Sequence, residues 1–101
     1  MATTSKKLFR GAATTNVATV LYTVPSATTT IVTNILVTNT AGTSGTFDLS
    51  LAGVKIADDV SIAANTIATF DLKQVVNATE TITGGASATT INFHISGVEV
   101  A

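Results

Sequence analysis

An antiparallel β-sandwich of seven to eight short strands, jelly-roll or Ig-like, with an extended N-terminal arm, is the architecture that this 101-residue sequence predicts. Three observations lead there. The chain carries 21 Thr, 11 Val and 8 Ile against one Pro, no Trp and no Cys, and side chains branched at Cβ suit a pleated surface while crowding a helix. No segment holds apolar residues at i, i+3, i+4 and i+7, the stripe of a surface helix, whereas apolar and polar residues alternate repeatedly. Turn residues separate the β-prone stretches with no helical segment between any pair, which argues for an antiparallel sandwich or small barrel over βαβ units.

The elements follow in order. Residues 1 to 15 read as an extended arm rich in Ala and Thr, with Leu8 and Phe9 its only large apolar side chains, and residues 16 to 101 as the sandwich domain. A first strand over residues 17 to 24 stops at Pro25, which cannot donate to a ladder. Residues 28 to 39 form the longest β-prone stretch. Ile31, Ile35 and Val37 share one face and Val32 and Leu36 the other, so a central strand or a buried subunit contact is expected. Residues 46 to 52 alternate cleanly, with Phe47, Leu49 and Leu51 inward and Thr46, Asp48 and Ser50 outward. After Gly53, residues 54 to 57 make a short return, Asp58 and Asp59 mark a break, and residues 60 to 62 follow as another short piece. Residues 66 to 73 place Ala68, Phe70 and Leu72 on one face, and residues 79 to 83 form a short strand before a turn at Gly84-Gly85. The last strand starts at Thr89, with Ile91, Phe93 and Ile95 inward. At Gly97 the pattern slips to Val98 and Val100, as at a bulge.

Composition narrows the function classes. Hydrophobic residues make up 46% of the chain and charged ones only 11%, against roughly a quarter charged in an ordinary domain. With no Cys, disulfides, thiolate metal sites and cysteine nucleophiles are excluded. Net charge is -1, and affinity for phosphate backbones needs concentrated Lys and Arg, so no nucleic-acid partner is expected. Thr and Asn interrupt every apolar run, so no transmembrane segment and no membrane partner are expected, and no export signal is read. The charge is uneven: residues 1 to 16 carry +3 and the remainder -4, a basic start on an acidic body. A β-prone chain so poor in charge lacks the usual guard on exposed edges, and an obligate homo-oligomer would remove that hazard.

Few residues suit proton chemistry. His94 is the one His, on the polar side of the last strand, and no catalytic set is assigned. Asp58 and Asp59 are adjacent, so they point to opposite sides of an extended chain, and they lack the D-x-D-x-D-G spacing of a calcium loop; no metal or other cofactor is assigned. Gly84-Gly85 precedes a strand, where a phosphate loop needs a helix. Asn77-Ala78-Thr79 fits the three-residue glycosylation pattern, which matters only under secretion. The sharpest candidate is the arm: Leu8 and Phe9 would dock into a neighbouring subunit while Lys6, Lys7 and Arg10 meet its acidic surface, the alternative being a solvated tail.

Residues 21 to 53, LYTVPSATTTIVTNILVTNTAGTSGTFDLSLAG, resemble a recurrent small domain of tailed-bacteriophage virion proteins. In that group Tyr-x-Val-Pro leads through a small polar turn to a Thr-rich strand, an Asn-Thr turn and a strand ending near Gly. Tyr22, Val24, Pro25, Ile31, Val37, Asn39, Thr40 and Phe47 stand at matching positions. The likeness extends more loosely over residues 17 to 101, through Ile62 to Thr66, Thr79 to Thr83 and Gly97 to Val100. It departs at Ala78-Thr79-Glu80, where the group usually has a Gly-Asp type turn. The resemblance implies a non-enzymatic structural protein of the virion, made in the host cytoplasm. The first expectation is a capsid decoration or cement subunit, often trimeric at this size, that bridges capsomers by binding the major capsid protein. The second is a tail, neck or fibre-attachment component. A carbohydrate-binding or adhesin module stands well behind, because sugar platforms need exposed aromatic rings and the chain offers only Tyr22.

Overall fold

The computed structural model describes residues 3–101. Eight strands run in chain order as β1 (Thr3–Ala12), β2 (Val20–Thr23), β3 (Thr29–Asn39), β4 (Gly45–Leu51), β5 (Val54–Ile62), β6 (Thr66–Val76), β7 (Thr81–Ala86) and β8 (Ile91–Val100). They form two four-stranded antiparallel sheets, ordered β1-β8-β3-β6 and β2-β7-β4-β5. Strand 4 pairs with 5, 3 with 6, 2 with 7 and 1 with 8, so the chain is a ribbon doubled back at the β4–β5 hairpin and rolled over itself. This is jelly-roll wiring. The hairpin turns on Ala52 (φ 53) and Gly53 (φ 80), two successive left-handed residues whose twist matches that of the strands they join.

The core lies between the sheets. Phe47, Leu49 and Ile82 come from one side, and Val32, Ile35, Val37, Ile91, Phe93 and Ile95 from the other, each at most 1% exposed. Phe47 packs edge-on against both Phe70 (6.0 Å, 66°) and Phe93 (6.2 Å, 69°), which ties the sheets together at mid-length. Ala68, Phe70 and Leu72 of β6 pack against this cluster half-buried, as their alternation predicts. Buried Asn39 secures the end of β3: its amide donates to the Thr43 and Ile62 carbonyls (2.9 and 3.3 Å), and its carbonyl accepts from the Ala41 N–H (3.0 Å).

Several expectations change. The segment read as an arm is extended, but Thr3–Ala12 is an edge strand laid along β8 from Thr3↔Val100 to Ala12↔Asn92; its first two residues lie outside the described ones. The first strand begins at Val20, because residues 14 to 19 make a loop whose ends bond to the β7 backbone. In β3 a register shift between Val32 and Asn34 re-sorts the faces, so Val32, Ile35 and Val37 point inward while Ile31 and Leu36 are half-buried on the outer face. Asp58 and Asp59 do not break the chain. They form a bulge within a continuous β5, with Asp59 at φ 48, and Asp48 opposite them is buried. Gly84 and Gly85 are not a turn but part of β7, where a Cβ would lie 2.6 Å from the Asp48 carbonyl oxygen and 2.4 Å from that of Asn16. At Gly97 it is the neighbours that bulge: β8 keeps its alternation, and the extra residues sit in β1 and β3.

Candidate interaction site

The arm residues singled out in the sequence are divided by the bulge in β1. Lys7 pairs with Ser96 and Phe9 with Ile95, leaving Leu8 as the extra residue. The two-residue alternation breaks there, so Leu8 enters the core at 7% exposure and Phe9 packs against it half-buried. Leu8 passes directly over Gly97, where an added Cβ would meet its Cδ1 at 3.0 Å and the Ile31 carbonyl oxygen at 2.3 Å. The two side chains expected to anchor a neighbouring subunit are therefore spent on this chain's own core. The cations stay outside. Lys6 pairs with Glu99 at 3.3 Å. Lys7 and Arg10 are exposed, and neither forms an ion pair among the described residues. Together with Ser5, Thr33 and Ser96 they line a shallow, open depression of about 400 Å³ across β1, β8 and β3. Hydroxyls and two free cations can hold an acidic or carbonyl-rich surface there with little desolvation of paired ions.

Glu99 is also the centre of a polar network between the sheets. The Tyr22 hydroxyl, on β2 of the opposite sheet, donates to Glu99 and lies 2.9 Å from the hydroxyl of fully buried Thr30. This hydrogen bond from Tyr22 and the Lys6 ammonium hold the Glu99 carboxyl below its usual range, while burial and Glu99 itself push the Tyr22 phenol up. Asp48 is likewise lowered, chiefly by Lys55. Both carboxylates bind protons more weakly folded than unfolded, so the stability they contribute is present above about pH 4 and is lost as pH falls through their lowered values. The raised Tyr22 works in the opposite sense, losing its contribution as pH climbs above about 10. Thermal melts across pH are expected to show a plateau that falls at both ends, with Glu99→Gln blunting both falls.

Asp48, Asp58 and Asp59 bring carboxylate oxygens within 4.8 Å of one another. Lys55 bridges two of them, bonding Asp48 and lying 3.2 Å from Asp58, while Asp48 accepts the Asp59 N–H (3.2 Å). The trio is thus joined by a cation of the chain itself and by the bulge backbone. His94 lies on the outer face in register with Leu36 and Arg10, and no hydrogen bond joins it to a Ser among the described residues. Tyr22, the one candidate ring for a sugar platform, is turned between the sheets by its bonds to Glu99 and Thr30. Sequence reasoning missed the Tyr22–Glu99 pair: its members are 77 residues apart and only the rolled ribbon brings them together. A scan against protein-family models matches none, and no curated protein matches the chain.

Proposed function

We propose that this protein is a non-enzymatic structural subunit of a tailed-bacteriophage particle, a capsid decoration or cement protein that bridges and stabilises capsomers. The observation that carries the reading is the outer face of the β1-β8-β3-β6 sheet. It is a broad surface of Thr, Ser, Asn and apolar side chains, with Lys7 and Arg10 beside a depression towards the β1 edge and Asp71 and Lys73 on β6 at the other edge. Such a face can lie against another protein over a wide area without stripping water from many ions. The resemblance of residues 21 to 53 to phage virion domains supports the same reading, as does the jelly-roll wiring, by analogy with the capsid domains that use it. A tail or neck location shares these supports, and the capsid is preferred because a broad polar face with cations along one edge suits a shell.

The test mixes the protein with undecorated phage shells. Binding is expected to saturate at a fixed ratio and to raise the shell's melting temperature. Lys7→Glu with Arg10→Glu is expected to weaken binding about tenfold or more, because rim charges set encounter and register, while leaving the protein's own melt nearly unchanged, since both side chains are exposed. Shells that stay bare at all concentrations would overturn the capsid reading.

A further inference from the structure

Each sheet has two edges, and three of the four are blunted against pairing with another chain. The β1 edge carries Lys6, Lys7 and Arg10 with no acid on the strand, so a copy laid along it would meet like charge. The β2 edge is four residues long and is flanked by the loop of residues 14 to 19. The β5 edge is kinked by two register shifts and by Asp59 at φ 48. Only β6 differs. It runs eleven residues, Thr66–Val76, with no Pro or Gly. It exposes two large apolar side chains, Ile67 (63%) and Val75 (61%), as β5 does with Val54 (68%) and Ile56 (43%).

The charges on β6 are self-complementary. Asp71 and Lys73 are both exposed and two residues apart, which places them on one face of the strand. The ladder with β3 shifts register here, Leu72 and Lys73 facing Thr33 alone, while Ala68, Phe70, Leu72 and Val76 remain the more buried set. Consider a second copy laid antiparallel along this edge, with the two-fold axis through Leu72. Asp71 then lies opposite Lys73 of the second copy, and Lys73 opposite its Asp71. Val75 falls opposite Thr69 and diagonal to Ile67 of the second copy, so the two exposed apolar residues cover one another. A two-fold contact requires one surface patch to match itself, and this register satisfies that condition for charge and apolar surface together.

We infer that two copies of this chain associate through β6, antiparallel about Leu72, joining their β1-β8-β3-β6 sheets into one continuous sheet. This goes beyond a role in the particle and stands apart from it. Shells decorated by a protein that stays single would overturn the pair and leave the capsid reading, and a pair that leaves shells bare would do the reverse.

A charge swap followed by sedimentation over a concentration series provides the test. The wild-type chain is expected to be a dimer. Asp71→Lys and Lys73→Asp each place like charges opposite one another twice, and each is expected to raise the dissociation constant about tenfold or more. The double variant Asp71→Lys/Lys73→Asp restores opposite charges and is expected to dimerise like wild type. All three change exposed side chains and should keep the wild-type melt. In a chain with no other cysteine, Leu72→Cys is expected to form a disulfide-linked dimer on oxidation, because residues facing each other across the pair have Cα atoms within bridging distance. Thr69→Cys, about 20 Å from its counterpart in this register, is expected to remain unlinked. A wild-type chain that stays monomeric, a trimer built on another edge, or single variants that dimerise as tightly as wild type would overturn the inference.

Discussion

Removing residues 1 to 12 is expected to abolish the cooperative thermal transition and leave a chain that aggregates. The deletion takes away the whole of β1, and with it the ladder along β8 from Val100 to Asn92. Leu8, 7% exposed, leaves the core, and the half-buried Phe9 goes with it. Burying a large apolar side chain stabilises by about 1.5–3 kcal/mol, and a domain of this kind has about 5–15 kcal/mol in total. Two side chains and a strand of backbone hydrogen bonds therefore take most of the margin. The loss also leaves one side of β8 unpaired, a new edge without the Lys6, Lys7 and Arg10 guard. Had the segment been a detached arm, the truncated protein would melt like the intact one. Calorimetry of the two chains decides between these outcomes.

Phe93→Ala is the point substitution expected to cost most. Phe93 is fully buried on central strand β8 and meets Phe47 of the opposite sheet edge-on at 6.2 Å. Truncating a buried Phe to Ala costs about 3–5 kcal/mol, from lost transfer energy and from the cavity left behind. For a domain of this size that lowers the melting temperature by roughly 10–30 °C. Phe70→Ala, on edge strand β6 and only half-buried, removes the other ring packed on Phe47 and is expected to cost clearly less. Equal losses at the two positions would mean that the core is not centred between Phe47 and Phe93.

How far the sequence could be read follows from where the two-residue alternation holds. Phe47, Leu49 and Leu51 in β4, and Ile91, Phe93 and Ile95 in β8, were legible because one face of each strand is fully buried and the period runs unbroken. In β3 the same reasoning put Ile31 with Ile35 and Val37 on one face and Val32 with Leu36 on the other, and in the structure Ile31 and Val32 change places. A bulge near Thr33 changes the count by one, and no glycine or proline announces it. Gly84 and Gly85 looked like a turn because glycine pairs usually mark one; here they clear space for the Asp48 backbone and the Asn16 loop, contacts between elements distant in sequence. Asp48 followed the polar side of an alternating strand yet is buried, because the β5 bulge and Lys55 close over it.

Of the candidate site, the cations were legible as a group and their surroundings were not. Lys6, Lys7 and Arg10 stand out in an acidic chain, but only the β1 bulge separates Leu8 and Phe9 from them. The pairing of Lys6 with Glu99 depends on the two ends of the chain meeting, which no local pattern encodes.

That meeting sets the order in which the molecule can be completed. Strand β8 is made last and lies between β1 and β3, the first and third to be made. Until it emerges from the ribosome, β1 has no neighbour to bond with, and one side of β3 is open to any passing strand. Synthesis thus leaves β1 and one side of β3 unpaired until β8 follows, and closing so long a loop is slow. A cell producing many copies at once would have to carry each one across that interval unaggregated.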